Sequence, residues 1–503
     1  MRAEEPSIVN SVQSGRRLAL ISVAVAALAV ACPDGPGDPP VPTNVQVSPD
    51  SVSFTGAGQT RQLVATVLDQ RGNPMADTGV TWSTTLAAVV TVSATGLATA
   101  AGPGSAEIRA TAGTAVGSAT VSVTLVSIAA FDGDNQTGLA GFALNVAPAV
   151  VVRDPAGNPV GGVPVDFAVA SGGGSVTGAA ATTSAFGVAR VGRWSVGLLA
   201  NTLTATAAGA GIGGNPVTFS ATGVISTFSI DVRPLTAMTA SQLAAFTNAA
   251  ARWQTLIYGD VPDLFIDSIP AATCGANSPA IVRQTIDDVI IFATIAPIDG
   301  PGMVLGSATP CWIRLPGFLP LIGRMTFDSA DVPAMESAGV FGDVILHEMG
   351  HVLGFATLWG PTELDLLRDP ASQGGVDPRF IGAQAIAAFD NIGGTGYTSG
   401  AKVPVENTGG PGTADGHWRE SVFGNELMTG FVGGPPNPLS VVTVASMGDE
   451  AYTVNYAGAD LFTLTFPALL GVRAPLFHLK DDIAKGPIYV VDRQGRVVRV
   501  IGP

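Results

Sequence analysis

The chain has few charged residues and few histidines, and it lacks any cluster of basic residues. Only 13% of its 503 residues are charged, and the acidic excess gives a formal net charge of −15. The lack of a basic stripe excludes a nucleic-acid partner, because binding to phosphates depends on clustered Lys and Arg. Aromatic residues amount to 6%, whereas 63 Gly and 36 Pro interrupt the sequence. This composition favours short strands and turns over long helices.

Long apolar runs are also lacking, apart from one near the N-terminus. Residues 18–31 follow two arginines and are too few to span a bilayer comfortably, but they suit the h-region of an export signal. Cys32 ends a sequence similar to a bacterial lipobox, although Ala29 stands where Leu or Val is usual. We expect residues 1–32 to be an export signal, with either lipidation of Cys32 or ordinary cleavage at a nearby Ala-x-Ala site. The protein is then a cell-surface or outer-membrane lipoprotein, or is secreted, and it meets the membrane only through that lipid anchor.

Cysteine occurs only three times in the chain. Cys32 belongs to the export signal, so Cys274 and Cys311 remain as a pair. In an oxidising compartment we expect a disulfide between them, which would stabilise the fold by about 2–4 kcal/mol. The alternative is two free buried thiols.

Residues 43–125 alternate between apolar and polar positions, as expected for the strands of a β-sandwich. The Pro- and Gly-rich residues 33–42 before them are expected to form a spacer. Three stretches, residues 62–67, 80–83 and 95–100, resemble a bacterial immunoglobulin-like domain of group 2.

Residues 126–223 form a second segment of β character. Its markers include residues 163–167 and the glycine run at 172–174, and it resembles the group 1, invasin-type, immunoglobulin-like repeat. Neither β segment contains His or Cys, so we expect no catalytic chemistry in either.

A mixed helix and strand pattern begins near Val224. Thr239 and Gln242 form a capping-box signature, and apolar residues follow at helical spacing up to Ile257. Residues 461–503 after this region are expected to form a β-rich tail ending in a hairpin at 488–500. The sequence leaves the docking of that hairpin open.

The strongest chemical signal is His347-Glu348-x-x-His351. On a helix the two imidazoles lie one turn apart on the same face, which suits binding of one Zn²⁺ at ~2.1 Å. Glu348 is then placed to take a proton from a water molecule. Apolar residues on nearly every side predict a buried helix rather than one that carries two solvated histidines.

A catalytic zinc site needs a third protein ligand, which this spacing does not supply. Thr357 occupies the position of the third histidine in the short metzincin pattern, six residues after His351. Glu363, His417 and His478 remain as candidates.

Several motifs in order resemble the leishmanolysin family of M8-type metzincins, over roughly residues 225–460. They are residues 342–359 around the two histidines, Gly-His-Trp at 416–418, Glu-Leu-Met at 426–428, and a closing helix at 440–455. The resemblance implies that His347, His351 and His417 bind one catalytic Zn²⁺, with Glu348 as general base and Met428 as the Met-turn residue. It also implies a structural or surface role for His478. The family's inhibitory pro-segment cysteine has no counterpart, because the N-terminal half contains only Cys32.

The sequence therefore predicts a multidomain chain, with two all-β immunoglobulin-like sandwiches followed by an α+β zincin (metzincin) domain at 224–460. The predicted function is an exported zinc endopeptidase acting on protein or peptide substrates outside the cell. The alternative is a surface adhesin whose zincin domain is inactive. Residues 360–416 are expected to loop out without a core of their own and to help shape the substrate cleft.

Overall fold

The computed structural model describes residues 39–124, 126–209, 211–464 and 477–502. The predicted export signal, including Cys32, lies outside these residues, so the lipidation of Cys32 stays a prediction. Along the described chain an all-β region precedes a region of mixed helices and strands. Among these residues, no helix has both the length and the apolar character that a membrane crossing requires.

The all-β region covers residues 42–224, and buried and exposed side chains alternate along most of its strands. In chain order the strands are β1 (Pro42–Ser48), β2 (Ser51–Phe54), β3 (Thr60–Gln62), β4 (Val64–Asp69), β5 (Thr81–Thr84), β6 (Val90–Val92), β7 (Leu97–Ala100), β8 (Gly104–Ala112), β9 (Ala115–Val123), β10 (Ser127–Asp132), β11 (Gln136–Leu139), β12 (Ala149–Arg153), β13 (Pro164–Ser171), β14 (Ser175–Thr177), β15 (Ala180–Thr182), β16 (Val188–Arg190), β17 (Arg193–Ser195), β18 (Leu199–Ala207) and β19 (Val217–Val224).

The described chain divides into two compact units. The first holds the described residues up to Val52 together with Thr60–Ala101 and Ser105–Ser122, and the second holds Ser53–Gln59, Gly102–Gly104 and the chain from Val123 onwards. In the first unit, β1 pairs with β4, and another sheet has the order β3-β7-β6. A further sheet has the order β2-β9-β8-β5. Val45 and Val67 are buried in the core of the first unit.

The second unit contains both the second β segment and the mixed region. The β segment has sheets of order β10-β12-β16, β11-β19-β18-β13-β15 and β14-β17, closed over a core that includes Trp194 and Phe219. The amide of Asn145 joins this segment to the mixed region, donating to the carbonyl of Val454 and accepting from the backbone N–H of Tyr456.

The mixed region contains seven named α-helices within the described residues. Its elements are β20 (Ile230–Pro234), α1 (Ala240–Leu256), β21 (Leu264–Ile269), β22 (Ile281–Ile286), β23 (Val289–Ala296), β24 (Gly306–Arg314), β25 (Leu319–Asp328), α2 (Val332–Ala338), α3 (Phe341–Leu353), β26 (Leu367–Arg368), β27 (Arg379–Phe380), α4 (Ala383–Phe389), α5 (Thr395–Thr398), β28 (Val403–Pro404), α6 (Glu420–Phe423), β29 (Phe431–Val432), α7 (Val441–Asp449), β30 (Phe477–His478), β31 (Ile488–Val491) and β32 (Val497–Ile501).

A six-stranded sheet of order β20-β23-β25-β24-β31-β32 carries this region. Strands β20, β23 and β25 run parallel, whereas β24 is antiparallel to β25. The tail forms the predicted hairpin from β31 and β32, and β31 pairs in parallel with β24. The predicted hairpin is therefore part of the sheet rather than a separate appendage.

Helices α1 and α3 pack together against this sheet. The predicted capping box begins α1: the Thr239 hydroxyl accepts from the Gln242 backbone N–H at 3.2 Å, and Gln242 Oε1 accepts from the Thr239 backbone N–H at 2.9 Å. Trp253 on α1 is fully buried and donates its indole N–H to the carbonyl of Leu346 in α3. Buried apolar contacts therefore fix α3 from one side.

The expectation that residues 360–416 loop out is wrong, because they contribute to the core of the mixed region rather than forming a core of their own. Helix α4 lies in this stretch, and Phe380, Phe389 and Val403 are completely buried within the core of the mixed region. Periodicity alone missed these contacts because the elements are short and separated by Gly- and Pro-rich turns.

Candidate metal centre

Helix α3 presents His347, Glu348 and His351, and all three side chains are completely buried. The two imidazoles lie one turn apart, with Nε2 atoms 3.0 Å from each other. The helix ends at Gly354, whose φ of +124° turns the chain. A Cβ at that position would lie 2.4 Å from Oε2 of Glu450, so glycine is required there for space as well as for conformation.

His417 joins the two helical histidines from a loop. Its Nε2 lies 3.1 Å from that of His347 and 3.2 Å from that of His351, and its ring is also completely buried. Backbone hydrogen bonds hold the loop in place: the Glu406 N–H donates to the His417 carbonyl, and the Trp418 N–H donates to the Met428 carbonyl. The structure thus brings together the three histidines that the resemblance implies as ligands.

Each of the three rings uses its Nδ1 in a hydrogen bond to a backbone carbonyl. His347 Nδ1 lies 2.7 Å from Leu427 O, His351 Nδ1 lies 3.0 Å from Phe355 O, and His417 Nδ1 lies 3.0 Å from Thr413 O. A carbonyl oxygen only accepts, so each neutral ring carries its proton on Nδ1 and leaves a lone pair on Nε2.

The three Nε2 lone pairs therefore converge on one point. Three nitrogens bound to Zn²⁺ at 2.0–2.1 Å in a tetrahedron lie roughly 3.3–3.4 Å apart, close to the 3.0–3.2 Å seen here. Without a cation, lone pairs this close would repel one another. The residues present fit a zinc ion, and the backbone carbonyls fix the tautomer that binding requires.

A fourth group, Asp482, completes the cluster. Its Oδ2 lies 2.9 Å from Nε2 of His417, 3.4 Å from that of His347 and 3.8 Å from that of His351. The side chain is completely buried and shares one potential metal-binding cluster with the three histidines. Sequence reasoning missed this residue, because a single aspartate in the tail belongs to no motif or spacing that signals a ligand.

Burial and mutual charge set the protonation of the cluster. Burial, reinforced by the neighbouring His347, lowers the pKa of His351 to about 3. Burial also lowers the pKa of His347, whereas for His417 the carboxylate of Asp482 outweighs burial and raises the pKa. The facing histidines, His417 foremost, outweigh the effect of burial on Asp482 and hold its pKa below the usual range.

Glu348 is a buried carboxylate without a hydrogen-bond partner for either oxygen. Burial, together with the charge of Asp482, raises its pKa well above the usual value. A cation bound by the histidines would act in the opposite direction, because it favours the ionised carboxylate. The first residue of β24 leaves room beside it: a Cβ at Gly306 would lie 3.4 Å from Glu348 Oε1.

Met428 packs directly against α3. A Cβ placed on Gly350 would lie 2.9 Å from Met428 Cε, so the glycine permits the close approach. The turn before it is tied to α7 through Glu426, which accepts from the Met428 N–H, the Ser440 N–H and the Thr443 hydroxyl. These bonds fix the Leu427 carbonyl, to which His347 donates.

The other positions considered for the third ligand make hydrogen bonds or ring contacts elsewhere. The Thr357 hydroxyl donates to the backbone carbonyl of His351 at 2.8 Å, and the Glu363 carboxylate accepts from the neighbouring Thr362 hydroxyl. His478 stacks on Phe431 with ring centroids 4.4 Å apart and lies 3.2 Å from the Thr413 hydroxyl.

Cys274 and Cys311 form a disulfide, as the sequence predicts, with Cα atoms 5.5 Å apart. Cys311 lies in β24 and Cys274 follows β21, so the bond ties the β21-β22 hairpin to the strand beside Glu348. Both cysteines belong to a buried apolar cluster that is separate from the core around α3.

Comparison with known proteins gives two family matches. Residues 278–468 match the family model of leishmanolysin, peptidase family M8, and residues 41–124 match that of the bacterial Ig-like domain of group 2. No curated protein gives a significant match to the chain.

Solved structures with similarity to the chain include two adhesins. The Yersinia pseudotuberculosis adhesin InvE is 19% identical over 37% of this chain and 59% of its own, with a TM-score of 0.21. The Escherichia coli adhesin FdeC is 20% identical over 37% of this chain and 66% of its own, with a TM-score of 0.24. The chain thus spans less than two thirds of either structure, and these scores carry no functional argument.

The leishmanolysin match includes the two helical histidines, Glu348, His417 and Met428, which are the residues that the geometry brings together. The chain therefore joins a region that matches the group 2 bacterial immunoglobulin-like domain to a region that matches leishmanolysin, a family of metallopeptidases.

Proposed function

We propose that this protein is an exported zinc-dependent endopeptidase, which binds one Zn²⁺ through His347, His351 and His417 and cleaves peptide bonds of extracellular proteins. One observation carries the proposal. Three imidazole lone pairs converge at 3.0–3.2 Å, each fixed by a backbone carbonyl, beside a buried glutamate whose oxygens have no hydrogen-bond partner.

Glu348 is the general base of the proposed reaction. Zn²⁺ supplies a Lewis acid that polarises a carbonyl and lowers the pKa of a water molecule to about 7. The Glu348 carboxylate takes the proton of the attacking water, and the same carboxyl returns it to the departing amine nitrogen. Because no structural hydrogen bond occupies its oxygens, both are available for these transfers.

We assign the other parts of the chain roles in holding or presenting this site. Met428 packs under α3 and, with Leu427, positions His347, so we assign it the Met-turn role of a metzincin. We further propose that the mixed region has the zincin fold and that residues 43–125 and 126–223 are two immunoglobulin-like spacers. In this proposal they extend the peptidase from a surface to which Cys32 anchors it.

The test uses the full-length chain and compares wild type, Asp482→Ala and the double variant Asp482→Ala/Glu348→Gln. The Asp482→Ala background is included because that carboxylate lies against all three imidazoles. We expect one zinc per chain in each, measured by elemental analysis. We expect Asp482→Ala to cleave denatured casein, and the addition of Glu348→Gln to abolish cleavage without loss of zinc.

The peptidase proposal fails if neither wild type nor Asp482→Ala cleaves casein at full zinc occupancy. That result would favour the adhesin alternative. Cleavage that persists after Glu348→Gln would remove the general-base role.

A further inference from the structure

Residues 479–484, here called the strap, cross the metal cluster along the side of β24 that faces away from β25, ahead of the β24 residues that pair with β31. The Ala308 N–H donates to the carbonyl of Asp482 at 2.7 Å, and the Ala484 N–H donates to the carbonyl of Ala308 at 2.9 Å. This pair of bonds forms a parallel bridge between the strap and the strand. The backbone on both sides of Asp482 is therefore held, and its side chain points at the three imidazoles.

The strap is also anchored at its start. Leu479 is buried, its N–H donates to the Gly430 carbonyl, and its own carbonyl accepts from the Thr413 hydroxyl. Thr413 in turn supplies the carbonyl that fixes His417. Thr413 therefore helps to position both the strap that carries Asp482 and the third imidazole, His417.

Asp482 has the properties of a fourth zinc ligand. Within the described residues, its carboxylate has no polar partner other than the three imidazoles, and its Oδ2 lies 2.9–3.8 Å from the three Nε2 atoms. A catalytic zinc keeps three protein ligands and one position for water, whereas four protein ligands make a closed site. With Asp482 bound, the position needed for the attacking water is taken.

The strap also pairs with β24, the strand whose first residue lies beside Glu348. Gly306, two residues before Ala308, lies beside the Glu348 carboxylate. Extended peptides bind exposed sheet edges through backbone hydrogen bonds. The N–H and the carbonyl of Ala308 would serve such a peptide, but the strap uses both.

We propose that the strap is an inhibitory segment within the chain: Asp482 is the fourth ligand of the bound zinc, and its displacement opens the site to water and substrate. This rests on the proposed peptidase function. Opening requires only local movement, because β31 and β32 pair with β24 and with each other at residues outside the strap.

The test replaces zinc with Co²⁺, whose visible spectrum reports coordination, and uses acetohydroxamate as a probe for an open metal position. Full-length wild type, Asp482→Asn and Asp482→Ala are compared, with Asp481→Asn as the matched control that removes the adjacent, solvent-exposed carboxylate. We expect acetohydroxamate to bind at least tenfold more tightly to Asp482→Ala than to wild type, with Asp482→Asn in between and Asp481→Asn like wild type. Zinc loss to a chelator should accelerate in the same order.

Casein cleavage separates this proposal from the proposed function. Tighter probe binding with at least a tenfold gain in cleavage supports both. Tighter probe binding without cleavage keeps Asp482 as the closing ligand and overturns the peptidase. Equal probe binding and equal zinc loss in wild type, Asp482→Asn and Asp482→Ala would overturn the proposal that the strap is inhibitory. If wild type then shows cleavage that depends on Glu348, the peptidase proposal still holds.

Discussion

Trp359 donates its indole N–H to Oε1 of Glu450 over 2.7 Å, and both side chains are buried behind the end of α3. The other oxygen, Oε2, has no hydrogen-bond partner. Burial is the main cause that raises the pKa of Glu450 from 4.5 to about 8. The folded protein therefore holds this side chain as the neutral acid near neutral pH.

The first prediction concerns the dependence of stability on pH. A raised folded-state pKa means that the stabilisation by Glu450 is complete below about pH 4.5 and is lost as pH rises through about 8. Glu450→Gln keeps the acceptor for Trp359 and removes the titration. We expect wild type to lose roughly 1–3 kcal/mol relative to this variant between pH 5 and 8.5.

Thermal unfolding of the zinc-loaded chains across this pH range measures the effect. Glu336→Gln, at an exposed position, serves as the control and should follow wild type. Parallel curves for wild type and Glu450→Gln would show that Glu450 does not titrate in this interval.

The second prediction concerns the third imidazole. His417→Ala should lower zinc affinity by orders of magnitude, because its Nε2 is one of three lone pairs that converge. His478→Ala should leave affinity nearly unchanged, since that ring stacks on Phe431 instead. Competition with a chelator at neutral pH measures both. Greater sensitivity at His478 would contradict the ligand assignment and the Met-turn role of Met428.

The third prediction compares two glycines of α3. Gly350→Ala would place a Cβ 2.9 Å from Met428 Cε and 3.1 Å from Trp253 Cζ2, so we expect a loss of about 1–3 kcal/mol from overpacking. A Cβ at Gly342 meets nothing within 4 Å, so Gly342→Ala should be neutral or stabilising by up to about 1 kcal/mol. Denaturant unfolding at saturating zinc distinguishes them, and equal effects would argue against tight packing beneath α3.

The fourth prediction concerns the disulfide. Peptide mapping without reductant should recover Cys274 and Cys311 in one linked pair. Replacing both with Ala should cost about 2–4 kcal/mol of stability while leaving one zinc per chain. Two thiols that react with an alkylating agent in folded protein made in an oxidising compartment would contradict the pairing.

Local signals allowed much of the fold and site to be predicted from the sequence. The capping box at Thr239 depends on residues three positions apart, and the spacing of His347 and His351 depends on a single helical turn. Interactions of this range follow directly from helix geometry. His417 lies 66 residues after His351, so its assignment needed the ordered motifs of a family rather than spacing.

Asp482 could not be predicted in this way. Its place depends on where the tail docks, through a parallel bridge between the strap and Ala308, 174 positions earlier in the sequence. No periodicity encodes a contact of that range. The buried role of residues 360–416 was missed for a related reason, because Phe380 and Phe389 enter the core from short elements between turns.

The position of Asp482 after all the other residues of the cluster has a consequence for the order of assembly. A polypeptide emerges N-terminus first, so His347, Glu348, His351 and His417 all exist before the residue that faces them. Strands β31 and β32 can join β24 only after the strap has emerged. A newly made chain therefore passes through a stage that has every residue of the proposed chemistry but not yet the carboxylate that closes the site. The site is therefore closed only after all of its other residues have been made.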